Sequence, residues 1–207
     1  MCQILVCQKR KPTMKELQDA EATNKDGCGI AFRLNGRNVY IKGLNTVEQI
    51  FNISQRAPLP QVIHFRRGTN GGIIPELTHP FIVTERDINP LKYSGKLSLL
   101  FHNGHDGEAM KTICALKKRQ IPEVLSDSRA IAMITSMVGK NALLHFSGKF
   151  VLFTTSDIYC YGDFTDRNDI KYSSSPFYSS YLNGLDGFSS NRSEWRWLIN
   201  DSEDEDE

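Results

Sequence analysis

Met1-Cys2-Gln3-Ile4-Leu5-Val6-Cys7 opens the chain. Gln3 to Cys7 reads as a β-strand, and Cys2 stands at its head, directly after the initiator methionine. Cysteine is small enough for methionine aminopeptidase to remove the residue before it. The chain would then begin with a cysteine carrying both a thiol and a free α-amine. The thiol is a nucleophile, and the amine, with an ordinary pKa of about 7.7–8.0, is a base able to activate it. One residue would hold both halves of a nucleophile–base pair. A cysteine at position 2 has no such meaning by itself, so the rest of the chain must supply a substrate site.

Outward from that strand, 207 residues are enough for one domain with a sizeable core. The apolar fraction of 40% and charged fraction of 24% fit a globular protein. No apolar run is long enough for a transmembrane helix, and no basic-then-apolar leader marks a secretory signal. Cys2, Cys7, Cys28, Cys114 and Cys160 are odd in number and lack C-x-x-C or metal spacing. A reducing, cytoplasmic setting fits that usage. The net charge of +1 hides an asymmetry, because residues 201–207 hold six of the 24 acids. That tail reads as an acidic, disordered end, and residues 2–200 as a single domain. The basic body does not directly indicate a nucleic acid.

The elements follow from local signals. Thr13 with Glu16 three residues on is a capping box, predicting a helix over Met14–Ala22. Cys28–Leu34 and Asn38–Lys42 are β-like runs around Asn35-Gly36, a hairpin signal. Thr46 caps a helix to about Arg56, and Pro58 and Pro60 end it. Gln61–Phe65, Phe81–Thr84 and Lys96–Phe101 read as strands. Gly107–Arg119 reads as a helix, and Ser126 or Asp127 caps another to about Val138. Leu143–Phe146, Phe150–Thr154 and Ile158–Tyr161 read as three further strands. Thr165–Ser193, which includes a Ser/Tyr-rich stretch over 172–181, reads as loop, with Trp195 and Trp197 packing it onto the body. About eight strands in hairpins with two helix pairs predict antiparallel sheets in layers with helices.

Several strand ends carry polar blocks, each with a plain structural reading beside a chemical one. Arg66 and Arg67, after His64-Phe65, are surface salt-bridge formers or a bidentate carboxylate clamp. Asn103-Gly104, after His102, is an ordinary turn or a pair of N–H donors aimed at one oxygen. Asp127, between Ser126 and Ser128, is part of a helix cap or a carboxylate for a substrate ammonium. His79 in Thr78-His79-Pro80-Phe81 is structural or a base.

Their order carries more than any one of them. Met1-Cys2, Asn24-Lys25-Asp26-Gly27-Cys28-Gly29-Ile30-Ala31-Phe32, His64-Phe65-Arg66-Arg67-Gly68-Thr69-Asn70-Gly71, Thr78-His79-Pro80-Phe81, Phe101-His102-Asn103-Gly104 and Ser126-Asp127-Ser128 together resemble the class II glutamine amidotransferase domain, an N-terminal-nucleophile hydrolase. The Asp-Gly-x-Gly-Ile-Ala-Phe form looks most like its stand-alone branch, which acts on γ-glutamyl compounds. The resemblance covers residues 2 to about 163. It implies an α+β fold, a four-layer αββα sandwich of two antiparallel sheets flanked by helices. It implies Cys2 as nucleophile, Asn103 and Gly104 as oxyanion hole, Arg66 on the substrate α-carboxylate and Asp127 on its α-ammonium. Thr69 and His79 fall in blocks that line the glutamine pocket. No metal or cofactor is implied.

The chain departs from the family in three places. Arg67-Gly68 stand where an aromatic residue and alanine are usual, Arg129 replaces an acid, and His105-Asp106-Gly107 follow the Asn-Gly pair. A second arginine beside the clamp would shift specificity or bind another anion. The implied reaction is cleavage of the γ-amide of glutamine to glutamate and ammonia. With about 45 residues after the last matched strand, the ammonia would serve a separate synthase or acceptor protein. A free-standing hydrolase of a γ-glutamyl conjugate and a non-catalytic binding relative are the alternatives.

Overall fold

Strand β1, Gln3–Cys7, is buried along its whole length, and its side chains alternate between two cores. Leu5 and Cys7 point into one, Ile4 and Val6 into another. That alternation is the two-residue period of a strand with both faces covered. The computed structural model describes residues 2–68, 74–86, 88–117 and 126–174.

Helix α1 (Met14–Glu21) follows β1, with the capping box of Thr13 and Glu16 formed. Strands β2 (Cys28–Leu34) and β3 (Arg37–Leu44) make a hairpin. Its turn residues Asn35 and Gly36 have φ of 51° and 70°, the left-handed geometry of a two-residue turn between twisted strands. Helix α2 (Val47–Arg56) starts at a second box, Thr46 with Gln49. Strands β4 (Gln61–Phe65), β5 (Phe81–Ile82), β6 (Lys92–Gly95) and β7 (Leu99–Asn103) precede helices α3 (Glu108–Lys117) and α4 (Asp127–Val138). Strands β8 (Lys149–Phe153), β9 (Ile158–Tyr161), β10 (Thr165–Arg167) and β11 (Ile170–Tyr172) complete the described chain.

Among the described residues the strands form two antiparallel sheets, in the orders β10-β11-β1-β4-β2-β3-β6 and β5-β7-β8-β9. A first core joins α1 and α2 to one face of the larger sheet, through Leu17, Ala20, Val47 and Ile50 against Leu5, Ile30, Phe32 and Ile63. A second joins α3 and α4 to the smaller sheet, through Ile113, Ile131 and Ile134 against Leu100, Phe150 and Leu152. The third is drawn from both sheets: Ile4, Val6, Ala31 and Val62 from one, Leu99, Phe101, Val151 and Phe153 from the other. Strands β1, β2, β4, β7 and β8 thus feed two cores at alternate residues. No helix of the described residues is long and apolar enough to cross a membrane.

Three expectations are corrected. Leu143–Phe146 is not a strand, because Lys140–His145 forms a 3₁₀ turn. Leu143 is buried there while Leu144 is 69% exposed, so only one leucine has a core to enter. The run Lys96–Phe101 pairs only from Leu99, and Lys92–Gly95 is a separate edge strand on β3. Residues 165–172 form a hairpin rather than loop. Its β11 pairs with β1, Leu5 facing Tyr172. Thr69, residues 175–193, Trp195, Trp197 and the tail 201–207 lie outside the described residues.

Candidate active site

The antiparallel pairing of β1 with β4 sets Gln3 opposite Phe65. The residues just beyond, Cys2 on one strand and Arg66-Arg67 on the other, therefore meet at the same edge of the sheet. The Arg67 N–H donates to Cys2 Sγ at 3.4 Å, and the thiol lies 3.6 Å from the Arg67 carbonyl oxygen. Burial pushes the thiol above its ordinary pKa, with the Arg67 N–H and the Arg66 charge acting the other way. The thiol therefore stays protonated near neutrality and needs a base to react.

The loop before β2 holds Arg66 and its neighbours in place. Asp26 Oδ2 accepts from the Gly68 N–H at 2.7 Å, the Asp26 N–H donates to the Arg66 carbonyl at 3.0 Å, and the Arg66 N–H to the Gly27 carbonyl at 2.8 Å. The Asp26-Gly27 block, weak as a sequence signal, is thus the staple for the arginine loop. Arg66 is only 6% exposed, whereas the Arg67 side chain is exposed.

The second sheet delivers Asn103 and Gly104 from the end of β7. A Cβ on Gly104 would lie 2.7 Å from both Gly148 Cα and His102 Nε2, so no other residue fits that close backbone approach. Ser126 is the N-cap of α4, accepting from the Arg129 N–H. That leaves Asp127, the first residue of the helix, to other partners. Its Oδ1 accepts from the Ser128 N–H at 2.8 Å. Its Oδ2 accepts from the Asp106 N–H at 3.0 Å and lies 3.2 Å from His105 Nδ1. Asp106 caps α3 through the Glu108 and Ala109 N–H groups and accepts from the Ser147 N–H at 2.8 Å. Both departures after Asn103-Gly104, His105 and Asp106, therefore serve to fix Asp127.

Histidines floor the site. His102 Nε2 donates to the Ser147 carbonyl at 3.1 Å, which leaves Nδ1 to accept from the Ser128 hydroxyl at 2.9 Å. That tautomer is dictated by a carbonyl, which can only accept. His79 lies against His64 with ring centroids 4.0 Å apart and the planes tilted by 34°. Burial holds His79 well below its ordinary pKa and pushes His64 down to about 3. Both rings are neutral, so His79 contributes shape and a neutral ring rather than charge. The close contact of β2 with the His79 loop requires Gly29, where a Cβ would lie 2.0 Å from the His79 carbonyl oxygen.

These residues enclose a cavity of about 320 Å³ lined by Cys2, Arg66, Arg67, Gly104, His79, His102, His105, Asp127 and seven neighbours including Leu77 and Met110. Its size is at the small end for ligand pockets. Of the residues picked from sequence, Cys2, Arg66, His79, Gly104 and Asp127 reach one cavity. Asn103 adjoins it but does not line it. Its Nδ2 donates instead to the Ser173 and Ser174 hydroxyls, at 2.9 and 3.0 Å. Thr69 lies outside the described residues. Sequence reading missed Asp106, Ser128, Ser173 and Ser174 as partners of the site. Asp106 stands directly before the helix predicted from Gly107, a cap signal, and Ser128 lies in the Ser126-Asp127-Ser128 block; Ser173 and Ser174 had no signal. The other cysteines are remote from chemistry: burial pushes Cys7 and Cys28 up to about 12.

No protein-family model and no curated protein matches this sequence. Solved structures do. The chain is similar to glutamine phosphoribosylpyrophosphate amidotransferase from B. subtilis, complexed with ADP and GMP, with a TM-score of 0.59 and 14% identity. It is equally similar to a structure described as the allosteric regulatory enzyme of purine biosynthesis, with a TM-score of 0.59 and 16% identity. In both cases 83% of this chain is covered, and 41% of the other. The chain therefore shares the α+β fold of these two structures over most of its length. It corresponds to less than half the length of those two enzymes.

Proposed function

We propose that this chain is a class II glutamine amidotransferase-type amidohydrolase, with Cys2 as its nucleophile. The observation that carries the reading is the convergence of the Cys2 thiol, the Arg66 guanidinium and the Asp127 carboxylate on one cavity. The order of the three cores supports a four-layer αββα arrangement. The guanidinium matches an α-carboxylate and the carboxylate an α-ammonium, so the amino-acid end of glutamine would be held between them. The γ-carboxamide is then presented to the thiol.

Removal of Met1 makes the Cys2 nitrogen a basic amine; with Met1 in place that nitrogen is an amide. The amine takes the thiol proton as sulfur attacks the carbonyl carbon of the γ-carboxamide. Gly104, and Asn103 once its amide is free, would donate to the oxyanion. Collapse of the tetrahedral species breaks the C–N bond, and the proton returns to the departing ammonia. Water then attacks the γ-glutamyl thioester, releasing glutamate and the thiol. Thiol, amine and water supply every group these steps need. The ammonia would pass to a separate acceptor enzyme.

A second reading has one observation in its favour. Arg67 lies in the cavity wall with its side chain exposed, where it would meet an anionic leaving group of a γ-glutamyl conjugate. Glutamate release from glutamine and from γ-glutamyl peptides by the purified protein, with intact mass reporting Met1, tests both. Release from glutamine supports the first, and release only from peptides the second. Release from neither, by protein lacking Met1, refutes both.

A further inference from the structure

The contacts of Asn103 assign a role to two serines. Strand β11 runs antiparallel to β1, and its continuation places Ser173 and Ser174 beside Ile4 and Gln3. The Ser173 N–H donates to the Ile4 carbonyl at 3.0 Å, and its Oγ accepts from the Ile4 N–H at 2.8 Å. Gln3 Nε2 donates to the Ser174 carbonyl at 3.2 Å. Asn103, arriving from the other sheet, reaches both hydroxyls with Nδ2. Its amide therefore spans the two sheets at the end where the nucleophile sits.

The protons fix the direction of this bridge. A serine hydroxyl has one proton, and Ser174 gives its own to the Cys2 carbonyl at 3.2 Å. Ser174 Oγ must then accept from Asn103, which turns the amide nitrogen toward the serines. The Asn103 oxygen is left buried with no hydrogen-bond partner among the described residues. An amide nitrogen has two N–H groups, and both are committed here. Neither is left for a tetrahedral oxyanion.

We propose that Ser173 and Ser174 are positioning residues for the Asn103 amide, Ser173 as a fixed pivot and Ser174 as the exchangeable partner that gives up one N–H when the oxyanion forms. The inference rests on the glutaminase reading. Ser173 is 1% exposed and is bonded to Ile4 through both its backbone and its side chain, so it stays. Ser174 is only half-buried, and its hydroxyl can turn wholly to the Cys2 carbonyl. Because the amide acts on the oxyanion and not on the bound amino acid, changes at the serines fall on kcat and leave KM alone.

The test uses the full chain with Met1 removed. Ser174→Ala frees an N–H without disturbing the pivot and should raise kcat for glutamate release about 3–10-fold. Ser173→Ala removes the pivot and should lower kcat about 10–100-fold, with Ser173→Thr restoring it to within about 3-fold. KM for glutamine should stay within about 2-fold in all three. In ¹⁵N NMR spectra of the side-chain amides, Ser174→Ala should move one Asn103 Nδ2 proton and Ser173→Ala the other. If Ser173→Ala fails to fold, Ser174→Ala alone decides through the sign of its kcat change. A fall in kcat with Ser174→Ala, a shared rise in KM, or unmoved Asn103 protons would overturn the proposal. If the wild-type chain releases glutamate from no substrate, the reaction is wrong and the catalytic roles of the serines fall with it. The proton shifts would then still report separately whether the amide is held.

Discussion

Asp127 and Asn103 sit at opposite ends of the candidate reaction, and the structure treats them differently. The Asp127 carboxylate receives the Ser128 and Asp106 N–H groups and lies against His105. Its position is set by the start of one helix and the cap of another before any ligand arrives. The Asn103 amide is also held, but by two serine hydroxyls, and its own oxygen has no partner among the described residues. The first arrangement suits a group that binds substrate and transition state alike. The second suits a group whose best partner appears only when charge develops. Interactions of that second kind raise kcat, while the first kind sets KM.

The largest effect expected is at the sulfur itself. Cys2→Ala should cut glutamate release about 10⁴-fold or more, because no other group can form the thioester. A variant that keeps a tenth of the activity would remove Cys2 from the mechanism and leave the comparison without a reaction to serve.

The comparison itself is broken or sharpened by the next pair. Asn103→Ala should lower kcat about 10²–10³-fold with little change in KM, the usual cost of one oxyanion donor. Asp127→Asn keeps the size, loses the charge that would hold an ammonium and replaces one of two backbone acceptors with a donor, so KM for glutamine should rise about 10–100-fold while kcat changes little. Steady-state kinetics on both variants decide. If Asn103→Ala moves KM and Asp127→Asn moves kcat, the division of labour is wrong.

Much of this was readable in the residues. Short apolar runs made β1, β4 and β7 legible, each buried along its whole length, and the Asn35-Gly36 turn and the Thr13–Glu16 box are local signals that local structure obeys. Arg66 and Asp127 could be singled out because one follows a strand end and the other opens a helix. What was hidden depended on pairing at a distance. The hairpin of 165–172 turns at Asn168-Asp169, with φ of 49° and 61°, but its place in the sheet depends on the open edge that β1 offers to 170–172. Ser173 and Ser174, 70 and 71 residues from Asn103, inherit their role from that same pairing. The Leu143-Leu144 run failed for the opposite reason: its apolar character looked like a strand, but the chain after Gly139, at φ of 91°, turns too tightly to pair.

The smallest effect expected lies far from both ends of the site and guards the comparison against a trivial cause. The Arg10 guanidinium pairs with Glu16 across its two carboxylate oxygens, holding the Glu16 carboxyl down to about 2 from its ordinary 4.5. The unfolded chain binds a proton at this group more readily than the folded one, so stability from the pair is fully present above about pH 4.5. It is lost as pH falls toward 2. Glu16→Gln keeps an oxygen for the Thr13 N–H and so preserves the cap while removing the charge. The expected loss at pH 7 is about 1–2 kcal/mol, discounted for the partial exposure of the pair. Urea midpoints of the two proteins should differ at pH 7 and converge only as pH falls from about 4.5 toward 2. Because α1 does not reach the cavity, kcat and KM for glutamine should match wild type. If this destabilised variant instead shows a kcat loss like that of Asn103→Ala, then stability rather than the amide sets kcat, and the contrast between Asn103 and Asp127 loses its meaning.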